Sequence, residues 1–150
     1  MKVILFAIAF RLLPQYCFVQ PNPGLMEKNT LTVEVHSLRN EKGTVRLTLF
    51  NSANGFPTEV SKAFRKANGK ARNGMCTLVL EDMPPGEYAI SLLHDENDNE
   101  KMDTRLMGIP KEGYGASNDA KVTFGPPKFA DARFSLTQNQ TTVRIKMRYM

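Results

Sequence analysis

Asp95, Asn97, Asn99 and Asp103 stand close together in the run His94-Asp95-Glu96-Asn97-Asp98-Asn99-Glu100-Lys101-Met102-Asp103. The first three fall at alternate positions, and the Lys101 carbonyl and Asp103 continue the phase. Oxygen donors at successive odd positions are what a tightly wound loop needs to surround a hard cation, and Ca²⁺ takes about six to eight of them. The ladder is incomplete. Glu100 stands where the sharp turn favours glycine, Leu106 where a bidentate glutamate would close the shell, and Glu112 is the carboxylate farther along that would have to replace it. A site of this kind is expected to bind Ca²⁺ at low affinity, ~10⁻⁴–10⁻³ M. The competing reading is that the Asp and Asn side chains bond neighbouring backbone amides and shape the loop unaided.

His94 opens the same run and admits a second chemistry, a general base oriented by Asp95 or Asp103 in a hydrolase. No nucleophile stands beside it: Ser91 lies on the opposite strand face and Ser117 in a loop, so no catalytic residue is assigned. His36 is the other histidine and no cysteine spacing suggests zinc ligands. A strand-end histidine bonded to its own loop is the plainer expectation. Gly108 to Gly115 lacks the Gly-Lys-Ser/Thr ending and the strand-loop-helix setting of a phosphate cradle. It reads as a rigid, exposed loop presenting Tyr114, which with His94 is a candidate contact for a partner protein or glycan.

These residues need strands to position them. Leu31, Val33 and Val35 alternate with Thr32, Glu34 and His36 across Thr30–Leu38, and Val45, Leu47 and Leu49 with Thr44, Arg46 and Thr48 across Thr44–Phe50. Two half-buried strands follow, expected to pair as a hairpin around Arg39-Asn40-Glu41-Lys42-Gly43. Val60, Ala63, Phe64 and Ala67 recur at three and four, predicting a short helix ended by Asn68-Gly69. Met75–Leu80 is apolar on both faces and predicts a strand inside a sheet. Glu87–His94 places Tyr88, Ile90, Leu92 and His94 on one face, after the turn at Pro84-Pro85-Gly86. Short strands are expected at Ala120–Phe124 and Phe129–Leu136, and the cleanest alternation, Thr141–Tyr149, closes the chain. About seven short strands with one helical insertion predict an all-β antiparallel sandwich, immunoglobulin-like or transthyretin-like.

With 150 residues and 41% hydrophobic composition, one core of this kind can be filled. Met1 to Gln20 carries Lys2, an apolar run over Val3–Phe10, then Arg11 and Pro14. The stretch is too short and interrupted to span a bilayer, which takes about 20 apolar residues. It reads as a signal peptide (1–20), although Ala7-Ile8-Ala9 lies early for cleavage and Tyr16 precedes Cys17 where a lipoprotein needs a small residue. Residues 21–29 read as a linker and 30–150 as the domain, periplasmic or secreted. Cleavage beyond Cys17 would leave Cys76 alone, a small buried hydrophobe. The formal charge of +5 is too small to argue for nucleic acid. The basic cluster Lys62, Arg65, Lys66, Lys70 and Arg72 has no interleaved aromatics to stack on bases and reads as a solvated face.

Several blocks in order carry a family resemblance: Leu38-Arg39-Asn40, Lys42-Gly43, Gly55-Phe56-Pro57, Pro85-Gly86-Glu87-Tyr88, His94-Asp95-Glu96-Asn97, Lys101-Met102-Asp103, Gly108-Ile109-Pro110-Lys111-Glu112-Gly113-Tyr114-Gly115 and Phe129-Ala130-Asp131-Ala132. In these the chain resembles the bacterial domain of unknown function 2141 family from about Leu31 to Tyr149. It departs at Asn99-Glu100, where the family commonly carries Asn-Gly. The resemblance implies an exported β-sandwich with no activity established for the family as a whole. The Pro-Pro-Gly-Glu-Tyr turn is also similar to that of transthyretin-like accessory modules. The resulting expectation is a non-enzymatic binding or accessory module that contacts an extracytoplasmic protein or glycan through its 94–118 end, with the His94 hydrolase as the alternative.

Overall fold

A period of two in hydrophobicity buries every second side chain of a strand, and two sheets are needed to cover the buried faces. The computed structural model describes residues 29–121, 125–137 and 139–150. Among these lie β1 (Asn29–His36), β2 (Thr44–Phe50), β3 (Arg65–Gly69), β4 (Met75–Met83), β5 (Gly86–Asp95), β6 (Gly113–Ala116), β7 (Phe134–Leu136), β8 (Gln140–Lys146) and one helical turn, α1 (Phe129–Ala132). One sheet runs β4-β1-β8 and the other β3-β2-β5-β6, with β7 pairing the start of β5. All pairs are antiparallel except β1 with β8. The fold is an all-β sandwich, as the alternation predicts.

Leu31, Val33 and Val35 of β1 face Leu47, Leu49, Ile90 and Leu92 of the second sheet within one buried cluster, to which Leu78, Leu80 and Ile145 also belong. Each such side chain contributes about 1.5–3 kcal/mol relative to exposure. A smaller cluster covers part of the second sheet's outer face. There Phe50, Phe56 and Phe129 stack edge to face, with centroids 5.4 and 5.8 Å apart, beside Ala89, Ala116 and Ala132. Among the described residues no helix is long and apolar enough to cross a membrane.

Four expectations are corrected. β1 and β2 do not form a hairpin: β1 pairs with β4 and β8, β2 with β3 and β5, so the turn at 39–43 carries the chain from one sheet to the other. The helix expected over Val60–Ala67 shrinks to a 3-10 turn at Val60–Lys62, after which Arg65–Gly69 adds to the edge of β2. Backbone pairing on an open sheet edge outweighs a weak helical pattern in a segment too short to hold a helix alone. The cationic β3 face then discourages further strand addition. β4 lies at a sheet edge, with Met75 and Val79 in solvent. Phe129–Ala132 is a helical turn before β7, where a strand start is expected. The strand expected at Ala120–Phe124 falls partly outside the described residues.

β8 ends at Lys146, yet the chain beyond it still pairs. Met147 N–H donates to the His36 carbonyl at 2.9 Å, and Arg148 exchanges both backbone bonds with Tyr114 of β6. The first sheet is thereby stitched to the second along one side, next to the end of β5. On the other side of that end, Gly43 (φ +64°) passes so close that a Cβ there would lie 1.8 Å from the Asp95 carbonyl oxygen. Gly43→Ala is expected to cost at least ~2 kcal/mol, read as a fall in the urea midpoint with an unchanged slope.

Candidate functional site

Strand alternation places His94 on the core face of β5 and Asp95 on the outer face at its last position. Neither has exposed surface. The antiparallel register sets Thr44 opposite Asp95, so Arg46, on the same β2 face, reaches the carboxylate, its Nε donating to Asp95 Oδ2 at 2.6 Å. Backbone N–H groups of Asn99 and Glu100 donate to Oδ1 and Oδ2 at 3.1 and 2.9 Å, winding the chain around the acid. Burial by itself pushes the Asp95 carboxyl up. The Arg46 hydrogen bond and the two amides override it and hold the group below the usual carboxylate range.

Glu112 is a second buried carboxylate, and its oxygens serve backbone amides. It accepts from Glu96 N–H through Oε1 and from Asp103 N–H through Oε2, both at 3.0 Å, which closes the loop on itself. Glu96 pairs with the Arg39 guanidinium, foremost by hydrogen bonding, and with Asn40. These contacts hold its carboxyl below the ordinary value against the opposing effect of burial. The Arg39 guanidinium also lies over the Tyr149 ring, 4.5 Å from its centroid.

His94 has both ring nitrogens engaged. Nε2 lies 2.9 Å from the Lys42 carbonyl, which can only accept, so Nε2 carries hydrogen. Nδ1 then accepts from the Tyr149 hydroxyl at 2.7 Å, and that oxygen in turn accepts from Arg39 N–H at 3.2 Å. Burial pushes the Tyr149 phenol up and keeps it a donor. Gly113 makes room for this ring: a Cβ there would sit 2.4 Å from Tyr149 Cε1. No lone pair of His94 remains free for a substrate.

Around Asp103 the Asn97 and Asn99 side chains converge, each with its Nδ2 donating, at 2.7 and 3.0 Å. Their Oδ1 atoms accept from backbone N–H, Asn97 from Asn99 and Asn99 from Lys101. Asp103 with these two asparagines is the set that could hold a divalent cation, once both amides turned their oxygens inward; Asp95 is committed to Arg46. Among the described residues no group of three or more His, Cys, Asp or Glu side chains is placed to hold a metal. Arg39, Asn40, Lys42, Asp103 and Lys111 border a shallow open cleft of about 490 Å³ above this loop.

A comparison with known protein families matches residues 33–144 to the family described as uncharacterized protein conserved in bacteria, domain of unknown function 2141. The chain belongs to this family. No curated protein and no solved structure matches it. In this family member His94 and Tyr114 do not share a surface. Tyr114 sits on the outer face of β6, half-buried, opposite Leu93 of β5, so the expected exposed loop ends at Glu112 and Gly113–Ala116 is strand. Ser117 is buried rather than loose; its Oγ accepts from Ile90 N–H and donates to the Ala132 carbonyl.

The exposed part of this end is a stretch that sequence reasoning passed over. Leu106 is 89% and Met107 93% exposed. An apolar pair between Arg105 and Gly108 in an otherwise polar loop was the signal that could have marked it.

Because Asp95 and Glu96 titrate lower when folded than when unfolded, their stabilisation is complete above about pH 4.5 and is lost as pH falls through the folded values. Asp95→Asn is expected to cost ~3 kcal/mol at neutral pH by leaving Arg46 unpaired, and to flatten the fall of the melting temperature below that pH. His94→Gln and Tyr149→Phe should each cost about 1–3 kcal/mol. The double variant should lose less than the sum, since each single change already removes the His94–Tyr149 bond; additive losses in denaturant titrations would show that bond to be idle.

Proposed function

We propose that this protein is a non-enzymatic binding or accessory module, exported to the periplasm or beyond, whose contact surface is the exposed part of its 94–118 end. The observation that carries the reading is a division of labour within that loop. Its chemically versatile groups, His94, Asp95 and Glu112, are buried and bonded inward, while the exposed side chains of Lys101, Arg105, Leu106, Met107 and Lys111 make no such bonds. A hydrolase needs the opposite arrangement, with a base whose lone pair faces substrate. Export rests on the composition of Met1 to Gln20, and the partners in view are components of that compartment.

Hydrogen–deuterium exchange of the full chain with and without bacterial envelope material tests the reading. Protection concentrated at 101–115 is the expected outcome. Protection confined to the far end of the sandwich would overturn it, as would a hydrolytic turnover that vanishes in a folded His94→Gln variant.

A further inference from the structure

The loop from Asp103 to Lys111 is a small closed hairpin. Thr104 and Pro110 form a bridge, Arg105 N–H donates to the Ile109 carbonyl at 2.7 Å, Gly108 N–H to the Arg105 carbonyl at 3.2 Å, and Lys111 N–H to the Asp103 carbonyl at 2.8 Å. At its turn Met107 holds a φ of +66°, a conformation side-chain-bearing residues adopt at a cost. The base is anchored by Asp103 through the two asparagine amides and through Glu112. The hairpin therefore projects Leu106 and Met107 into water by construction, with Ile109 partly exposed behind them.

Single exposed apolar residues are ordinary on protein surfaces. Here two adjacent ones crown a braced turn, and three cations collar it along the chain: Arg105 is adjacent, and Lys101 and Lys111 flank the base of the hairpin. All three cations are exposed, and none pairs with a carboxylate among the described residues. Of the carboxylates in the same stretch, Glu112 is buried and Asp103 is tied to the asparagines. Arg105 N–H, Gly108 N–H and the Arg105 and Ile109 carbonyls are bonded inside the hairpin, while the peptide groups of Leu106 and Met107 are left to the water and phosphates of the headgroup layer. An apolar point with a collar of free cations on long aliphatic stems matches a layered surface, acyl chains inside and phosphates outside. A groove on another protein would suit the apolar pair but does not account for the collar.

We infer that the 101–111 hairpin is a membrane-docking tip that seats Leu106 and Met107 among the acyl chains of an anionic phospholipid surface while Lys101, Arg105 and Lys111 meet the headgroups. This names the partner for the contact surface proposed above and rests on that reading. Binding is reversible and falls with rising salt, because screening weakens the collar and two side chains give only a shallow anchor.

The full chain has no tryptophan, so Met107→Trp introduces a single reporter at the tip. With vesicles of phosphatidylcholine and phosphatidylglycerol its emission should shift to the blue, and with phosphatidylcholine alone it should shift little. In co-sedimentation, Leu106→Ser with Met107→Ser should lower partitioning by about tenfold or more, and replacing each cation by Gln by about fivefold, with melting temperatures unchanged. Unaltered Trp emission while the chain sediments with vesicles would place binding away from the hairpin and overturn the inference. So would a serine double variant that binds as well as the parent. Exchange protection at 101–115 from a delipidated protein or glycan fraction, with none from vesicles, would overturn it too and leave the binding-module reading standing.

Discussion

The Asp95 carboxylate is taken out of water at the last position of the central strand β5, where an uncompensated charge would cost several kcal/mol. Arg46 supplies the counter-charge from the neighbouring strand, and the amides of Asn99 and Glu100 occupy lone pairs that a guanidinium leaves open. The chain must curl to bring those amides back, and this curl starts the loop. Glu112 repeats the device farther on, collecting the amides of Glu96 and Asp103. Two buried acids are thus organising centres of the long connection, and what they leave outside is the hairpin with its apolar tip.

The other side of the same strand end is held by a polar chain through the core boundary. His94 bridges the Lys42 carbonyl of the inter-sheet turn to Tyr149 near the end of the chain, and Arg39 lies over that ring while gripping Glu96. Gly113 is as much a part of this arrangement as the polar groups, since its missing side chain is the space the tyrosine fills. Rigidity at the base of the loop and exposure at its tip are linked, because the bonds that brace the hairpin hold its turn residues clear of the surface.

Much of the fold was legible. Alternation located β1, β2, β5 and most of β8, and their inward residues are the ones found in the core, because a period of two specifies a buried face regardless of context. Pairing was less legible: β1 and β2 are adjacent in sequence and separate in space, and nothing in either strand names its partner. The Val60–Ala67 spacing suited a helix and lost to an open sheet edge. In the site, the Asp and Asn spacing was correctly read as a wound loop, but spacing alone does not say whether backbone amides or a cation fill the turn. Arg46 read as one more outward strand residue, since only the β2–β5 register brings it to Asp95.

The amino-acid sequence by itself determined an all-β domain with one core, a polar loop after the strand ending in His94, and membership of a family recognisable by local blocks, because these depend on residue type and short-range periodicity. Which carboxylates face amides, which ring nitrogen of His94 is a donor, where Tyr114 points and that Leu106 and Met107 stand clear of the surface were decided by the tertiary structure alone. Each of those depends on groups from distant parts of the chain meeting within a few ångströms, and that proximity comes from sheet register and closure rather than from any segment's own composition.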